Sequence, residues 1–277
     1  MLKVLVVGSG AMAKFVVAQI HQNCSVFTLG NFWDKEFVYQ NQQQKFTIHQ
    51  YQNFNPTIQY DCIFWLTSTV YNQRILDNHE AFFSAYTGLV LNFQNGMGYE
   101  NLFTKHFPKA SIFFGSSTQA VLKNKSGIMD TGKGVFYVDI SAKNNSVLQT
   151  ISSFLTIEFI EDIEFKRLQK LSVNVVINPV TAYFKIKNGE ILTHPEAWEM
   201  AGKIIIETFP FWRKQGIFPS MLKYEDMVVD IAEKTAQNYS SMCSSKINHI
   251  PLEINSIVVF VYQKTQSKTL HFLLENL

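Results

Sequence analysis

The first thirty residues constrain the topology more than any other part of the chain. An apolar run at 4–7 ends on Gly8, Ser9 and Gly10, a helical pattern fills 12–21, and a second apolar run follows at 25–29. Strand, glycine turn, helix and strand in that order form a crossover unit, which joins two parallel neighbours of one sheet. The turn has chemical content as well. In Gly8, Ser9, Gly10, Ala11, Met12 and Ala13, the first glycine permits the tight turn and the second lets a pyrophosphate approach the backbone. Ala13 is small enough for helix to pack on strand. A pyrophosphate held there would sit on the helix N-terminus. These six residues are candidate dinucleotide contacts; a purely structural glycine turn is the alternative, and the flanking strands favour the dinucleotide.

The alternation continues with apolar runs at 62–66 and 89–93, and further strand-like segments at 111–115, 134–139 and 156–161 extend the same sheet. Residues 31–60, rich in Gln and Asn, read as a strand-and-loop excursion at the sheet edge. After residue 163 the pattern changes. Helical periods fill 164–177, 194–215, 224–238 and 252–262, with no comparable strand run. The predicted organisation is an α/β N-terminal dinucleotide-binding domain of the Rossmann type over 1–163, then an all-α C-terminal domain over 164–277.

Within this frame one helical stripe stands out. Lys170, Asn174 and Asn178 follow one another at steps of four, and each step of four rotates an α-helix by only about 40°. One ammonium and two carboxamides therefore share a face, while Leu168, Leu171 and Val175 occupy another. Such a stripe reads as a substrate cradle. The competing reading is a solvated face, which the otherwise apolar run disfavours.

Composition excludes several classes. With 277 residues, 47% hydrophobic and 17% charged, the chain is that of a folded soluble protein, and a net charge of +2 without a basic block gives nucleic acid no footprint. The apolar run before Gly8 is too short for a signal segment, and no stretch reaches the ~18 apolar residues of a membrane span. The three cysteines, Cys24, Cys62 and Cys243, lack metal spacing and fit a reduced, cytoplasmic chain. The seven histidines show no HExxH, so no metal is expected; a GxSxG elbow and a phosphate loop are absent too. Monomer and homodimer remain open.

Several segments acquire meaning together. Gln94, Asn95, Gly96, Met97 and Gly98 follow one strand, and Gly115, Ser116, Ser117 and Thr118 follow the next. Lys170, Asn174 and Asn178 lead into Pro179, Thr181 and Ala182, and Asn238, Ser241 and Met242 precede Glu253, Ile254 and Asn255. In this order and spacing they resemble the ketopantoate reductase (2-dehydropantoate 2-reductase) family, over nearly the whole chain. The resemblance implies a Rossmann domain joined to a helical domain, with ketopantoate held in the cleft between them. It also implies NADPH-dependent reduction to pantoate in pantothenate biosynthesis. By that carry-over Lys170 is the general acid, and Glu253 orients it and touches the nicotinamide end of the cofactor. Asn174, Asn178, Asn188 and Ser241 are substrate-binding, Asn238 supports them, and Asn95 sits between cofactor and substrate.

The departures concern the cofactor. An acid at the end of the second strand favours NAD and an arginine favours NADP, yet this chain has Leu29, Gly30, Asn31 and Phe32. Ser68 stands where the family often has a lysine for the NADP phosphate. Lys35 is either a substitute anchor or an exposed loop lysine. NADPH is thus the family expectation, with NADH not excluded. Near the C-terminus Ser256 takes the place of a typical glycine. The alternatives are a reductase of another branched 2-oxo acid and a non-catalytic dinucleotide-sensing protein.

Overall fold

The first crossover forms as its residues dictate: Leu2–Val7 pairs in parallel with Cys24–Leu29 across helix α1 (Ala11–Ile20). The computed structural model describes residues 1–30, 36–41, 45–48, 51–124, 127–130 and 132–277. The chain divides into two compact units, one of Met1–Gln94 with Tyr99–Ile163 and the other of Asn95–Gly98 with Glu164–Leu277. Four residues from the first half, Asn95–Gly98, thus group with the second unit, which no pattern in the sequence announces.

In the first unit six parallel strands run in the order Gln52–Asn53, Cys24–Leu29, Leu2–Val7, Cys62–Trp65, Leu89–Asn92 and Ser111–Phe114. Cys62–Trp65 and Leu89–Asn92 are buried at every position, because a parallel sheet is covered on both faces. Alternate side chains feed two separate cores. Val4, Val6, Phe64 and Leu91 pack with α1 residues such as Val16 and Val17; Leu5, Val7, Ile63, Trp65 and Val90 pack with Phe83, Phe103 and Phe107. Helices α2 (Asn72–Asn78), α3 (Glu80–Ala85) and α4 (Glu100–His106) contribute to the second core, and α5 (Ser146–Ser152) to the first.

Two expectations for this unit are corrected. Phe136–Asp139 and Ile157–Ile160 do not extend the six-stranded sheet: they pair with each other, and Phe136–Asp139 pairs antiparallel with Ser116–Ser117, giving a separate three-stranded sheet. Among the described residues of the 31–60 excursion, only Gln52–Asn53 pairs at the edge of the main sheet. Phe37–Gln40 and Lys45–Ile48 instead join Gly127–Asp130 and Val121–Asn124 in a sheet of their own. Period-two patterning reports that a segment is a strand and which face it buries, and says nothing of its neighbour.

The second unit is built on the 22-residue helix α6 (Ile163–Phe184). Around it lie α7 (Pro195–Lys214), α8 (Met221–Lys234), α9 (Ser241–Ile247), a π turn at Asn255–Val259, α10 (Phe260–Thr265) and α11 (Lys268–Asn276). Helix α6 runs seven residues past the predicted end at 177, straight through Pro179. A proline leaves the carbonyl four residues back without its amide partner. The helix persists because its apolar face continues, with Val180 and Ala182 fully buried; just past the proline, Thr181 Oγ1 donates to the Ile177 carbonyl at 2.7 Å. Trp212, Tyr224, Val175 and Val176 fill the core, with Tyr224 donating its hydroxyl hydrogen to the Ser172 carbonyl at 2.7 Å. Among the described residues no helix is long and apolar enough to cross a membrane, and no group of three or more His, Cys, Asp or Glu could hold a metal. The three cysteines are buried free thiols.

Candidate functional site

Each unit carries its own set of candidate residues. In the first, Gly8 has φ +123°, and its amide donates to the Leu29 carbonyl at 2.8 Å. A Cβ there would lie 2.7 Å from the Thr67 amide nitrogen and 2.9 Å from the Leu66 carbonyl oxygen. Only glycine meets both the conformation and the closeness. Gly10 is the opposite case. It is the N-cap of α1, it is exposed, and nothing lies within 4 Å of where its Cβ would be. Ala13 is fully buried, while Ser9, Ala11 and Met12 are half-buried. No side chain caps the helix and its first turn has no acid, so the positive end of α1 faces open space beside Gly10. Backbone shape, room and sign of potential all fit a pyrophosphate.

The neighbouring loop was legible only in part. Ser68 precedes the short turn Thr69–Tyr71, and its Oγ is buried without a hydrogen-bond partner. Below it lies a buried amide network that periodicity does not reveal. Gln94 Nε2 donates to the Thr67 carbonyl at 2.7 Å and to Asn72 Oδ1 at 2.8 Å. Asn72 Oδ1 also accepts from Trp65 Nε1 at 2.9 Å, and Gln94 Oε1 from Asn92 Nδ2 at 3.1 Å. The network fixes the Thr67–Ser68 segment that crowds Gly8. Asn31, Phe32 and Lys35 lie outside the described residues.

In the second unit α6 carries the stripe. Lys170 and Asn174 are half-buried and Asn178 is buried. Burial pulls the Lys170 ammonium down from the usual lysine range to about 8, and the negative charge of Glu253 opposes the fall. Glu253 is half-buried and lies two residues before the π turn. Single π turns interrupt the regular ladder and are frequent at functional sites. Asn95 is half-buried. Its neighbour Gly96 has φ +81°, and a Cβ there would lie 2.4 Å from the Ser256 carbonyl oxygen. That same carbonyl accepts from the Met97 amide at 2.9 Å.

The remaining predicted residues fall into two groups. Asn188 is buried: its amide donates to the Asn238 carbonyl at 2.9 Å, its Nδ2 to Thr235 Oγ1 at 2.9 Å, and its Oδ1 has no partner. Asn238 is half-buried, so these two are held together by backbone. Ser241 is the exposed first residue of α9. Its neighbour Ser240, not anticipated, is the buried one: its hydroxyl lies 2.8 Å from Thr181 Oγ1 on α6 and accepts from the Cys243 amide at 3.0 Å. A serine before a short helix is an N-cap signal that could have found it. As a chemical device, a partly desolvated ammonium near a carboxylate, on a helix that also presents two amides, can give up a proton near neutral pH and hold oxygen-rich groups.

Two family models match the chain. "Ketopantoate reductase PanE/ApbA" covers residues 4–142 and "Ketopantoate reductase PanE/ApbA C terminal" covers 162–271. A curated 2-dehydropantoate 2-reductase of Archaeoglobus fulgidus is 32% identical over 166 residues, which is 56% of this chain and 53% of that protein. The chain thus spans about half the length of the curated relatives it matches. Among solved structures, D-mandelate dehydrogenase with NADH and anilino(oxo)acetate has a TM-score of 0.86 at 19% identity, covering 99% of this chain and 96% of the other. The dimeric ketopantoate reductase from Staphylococcus aureus has a TM-score of 0.80 at 16% identity with the same coverages.

Proposed function

The chain belongs to the ketopantoate reductase family, and from that premise we propose that it reduces ketopantoate to pantoate, with NADPH as the family's expected cofactor. The observation that supports this reading best is Lys170, brought down to about 8 by burial and opposed by Glu253. An ordinary lysine, at 10.5, gives up its proton too reluctantly for a general acid at neutral pH.

Gly8, Gly10 and Ala13 hold the pyrophosphate, with Ser9, Ala11 and Met12 beside it, and Asn95 and Glu253 contact the nicotinamide end. When bound, the reduced nicotinamide supplies a hydride to the carbonyl carbon of the 2-oxo acid. Lys170 Nζ hydrogen-bonds the ketone oxygen and passes it a proton as negative charge develops there. Glu253 keeps Lys170 charged before that step and fixes its direction. Asn174, Asn178 and Asn95 hydrogen-bond the carboxylate and hydroxyl oxygens, for which a neutral amide offers both donors and an acceptor. Asn188 and Ser241 complete the substrate contacts, with Asn238 supporting them.

A second reading keeps the chemistry and changes the substrate to another branched 2-oxo acid, with NADH as cofactor. Leu29 and Gly30 where an arginine would begin the NADP site, and the NADH-bound D-mandelate dehydrogenase among the structural neighbours, favour it. The purified protein, mixed with NADPH or NADH and a panel of 2-oxo acids, decides by the loss of reduced-nicotinamide absorbance. Ketopantoate should give the highest kcat/KM. A higher value for another oxo acid establishes the second reading, and no oxidation with any of them refutes both; tight dinucleotide binding without turnover then supports a dinucleotide sensor.

A further inference from the structure

The second unit has a buried arginine that the family resemblance leaves unassigned. Arg167 stands one turn before Lys170 on α6, is 8% exposed, and extends its guanidinium so that Nη2 donates to the Gly96 carbonyl at 3.4 Å. Gly96 follows Asn95, the residue proposed to lie between cofactor and substrate. The same short loop is gripped from a second side. Ser256, in the π turn just after Glu253, accepts from the Met97 amide at 2.9 Å, and its carbonyl leaves no room for a Cβ on Gly96. On a third side the Met97 side chain, 7% exposed, is buried in the same core as Leu168 and Leu171 of α6.

We infer that Arg167 is a positioning residue: by holding the Gly96 carbonyl it locks the Asn95–Gly98 loop in register with α6, which carries Lys170, and with the π turn that follows Glu253. The inference rests on the proposed roles of those residues. Its physical basis is that three chain segments far apart in sequence, near 96, 167 and 256, meet at one peptide unit. The carbonyl of Gly96 is bound by α6, and the next amide, of Met97, by the π turn. A guanidinium suits the first task because it cannot lose its charge and its donors are rigidly splayed. A lysine would supply one flexible point donor instead. Small displacements near a reacting centre can cost a hundredfold in rate, so a peptide unit shared by all three segments is where a register error would matter most.

The test compares wild type with Arg167→Met, which keeps the bulk of the stem, and Arg167→Lys, which keeps the charge. Deuterium uptake of the peptide spanning 94–99 is followed by mass spectrometry, and steady-state kinetics are run with whichever 2-oxo acid the wild type reduces. The expected result for Arg167→Met is faster exchange of that peptide with α6 still protected. Its kcat should fall at least about tenfold, while the Kd of the reduced nicotinamide dinucleotide, read by fluorescence, stays within about threefold. Arg167→Lys should recover part of the kcat. Combining Arg167→Met with Gly96→Ala should cost less than the sum of the two single changes, because both break one clamp. Unchanged exchange in a folded Arg167→Met overturns the inference whatever the substrate proves to be. Faster exchange with unchanged kcat overturns the positioning role. A wild type that reduces no 2-oxo acid sinks the proposed function instead, and leaves the exchange result to decide the clamp.

Discussion

Replacing Glu253 by Gln tests the proposed acid through its charge. In the wild type, burial lowers Lys170 and Glu253 raises it, to a balance at about 8. Catalysis of reduction needs the protonated amine, so activity should fall as pH rises through that value. With a pKa of about 8 the protonated fraction is about 0.9 at pH 7 and about 0.1 at pH 9, a tenfold loss of kcat/KM across two pH units. A lysine left at 10.5 would show almost no change over the same range. Glu253→Gln removes the charge that opposes desolvation and keeps the shape, so the alkaline limb should move to lower pH, and the fold deficit of the variant should grow with pH and level off above about pH 8. The assay is kcat/KM for the 2-oxo acid at saturating reduced dinucleotide, measured from about pH 6 to pH 10. Lys170→Ala, run alongside, should lose roughly 10²- to 10⁴-fold and with it the limb. A wild-type limb near pH 10, or a Glu253→Gln limb at the same or higher pH, would refute the reasoning.

The same balance makes a prediction for folding. The native pKa of Lys170 lies below the unfolded value, so between about 8 and 10.5 the unfolded chain binds more protons, and stability rises with pH across that window; denaturant titrations should show this rise in wild type and not in Lys170→Met. Gly8→Ala forces a Cβ to 2.7 Å from the Thr67 amide at φ +123°, and should cost about 1–3 kcal/mol in urea unfolding and weaken dinucleotide binding at least about tenfold; unaltered binding would remove Gly8 from the cofactor site. Glu207 accepts from Ser267 Oγ, from the Thr269 amide at 3.0 Å and from Thr269 Oγ1 at 3.1 Å, so its carboxylate caps α11. Glu207→Ala should cost about 1–2 kcal/mol, visible as a lower denaturation midpoint with kcat unchanged.

Elements whose burial is dictated by their own residues were readable in the sequence. The strands at 2–7, 24–29, 62–65 and 89–92 lie within two residues of the largely apolar runs that predict them, because a run that is apolar at most positions has to be covered on both faces. The stripe at Lys170, Asn174 and Asn178 was readable for the same kind of reason, since helical period alone sets it on one face. Partners were not readable. Phe136–Asp139 has a proper strand pattern and still belongs to another sheet. The buried hydroxyl of Ser240, 2.8 Å from Thr181 Oγ1 on α6, is likewise a contact between elements that no motif spacing announces.

What the sequence by itself determined is the crossover fold, the glycine turn and the order of the chemical groups, all of which follow from local sterics and period. What only the tertiary structure decided is the state of those groups. Lys170 is an ordinary lysine until burial and Glu253 set its proton affinity, and Gly96 is an ordinary turn glycine until the Ser256 carbonyl occupies the space of its missing Cβ. Desolvation and close approach depend on atoms more than seventy residues away along the chain, and no local pattern encodes them.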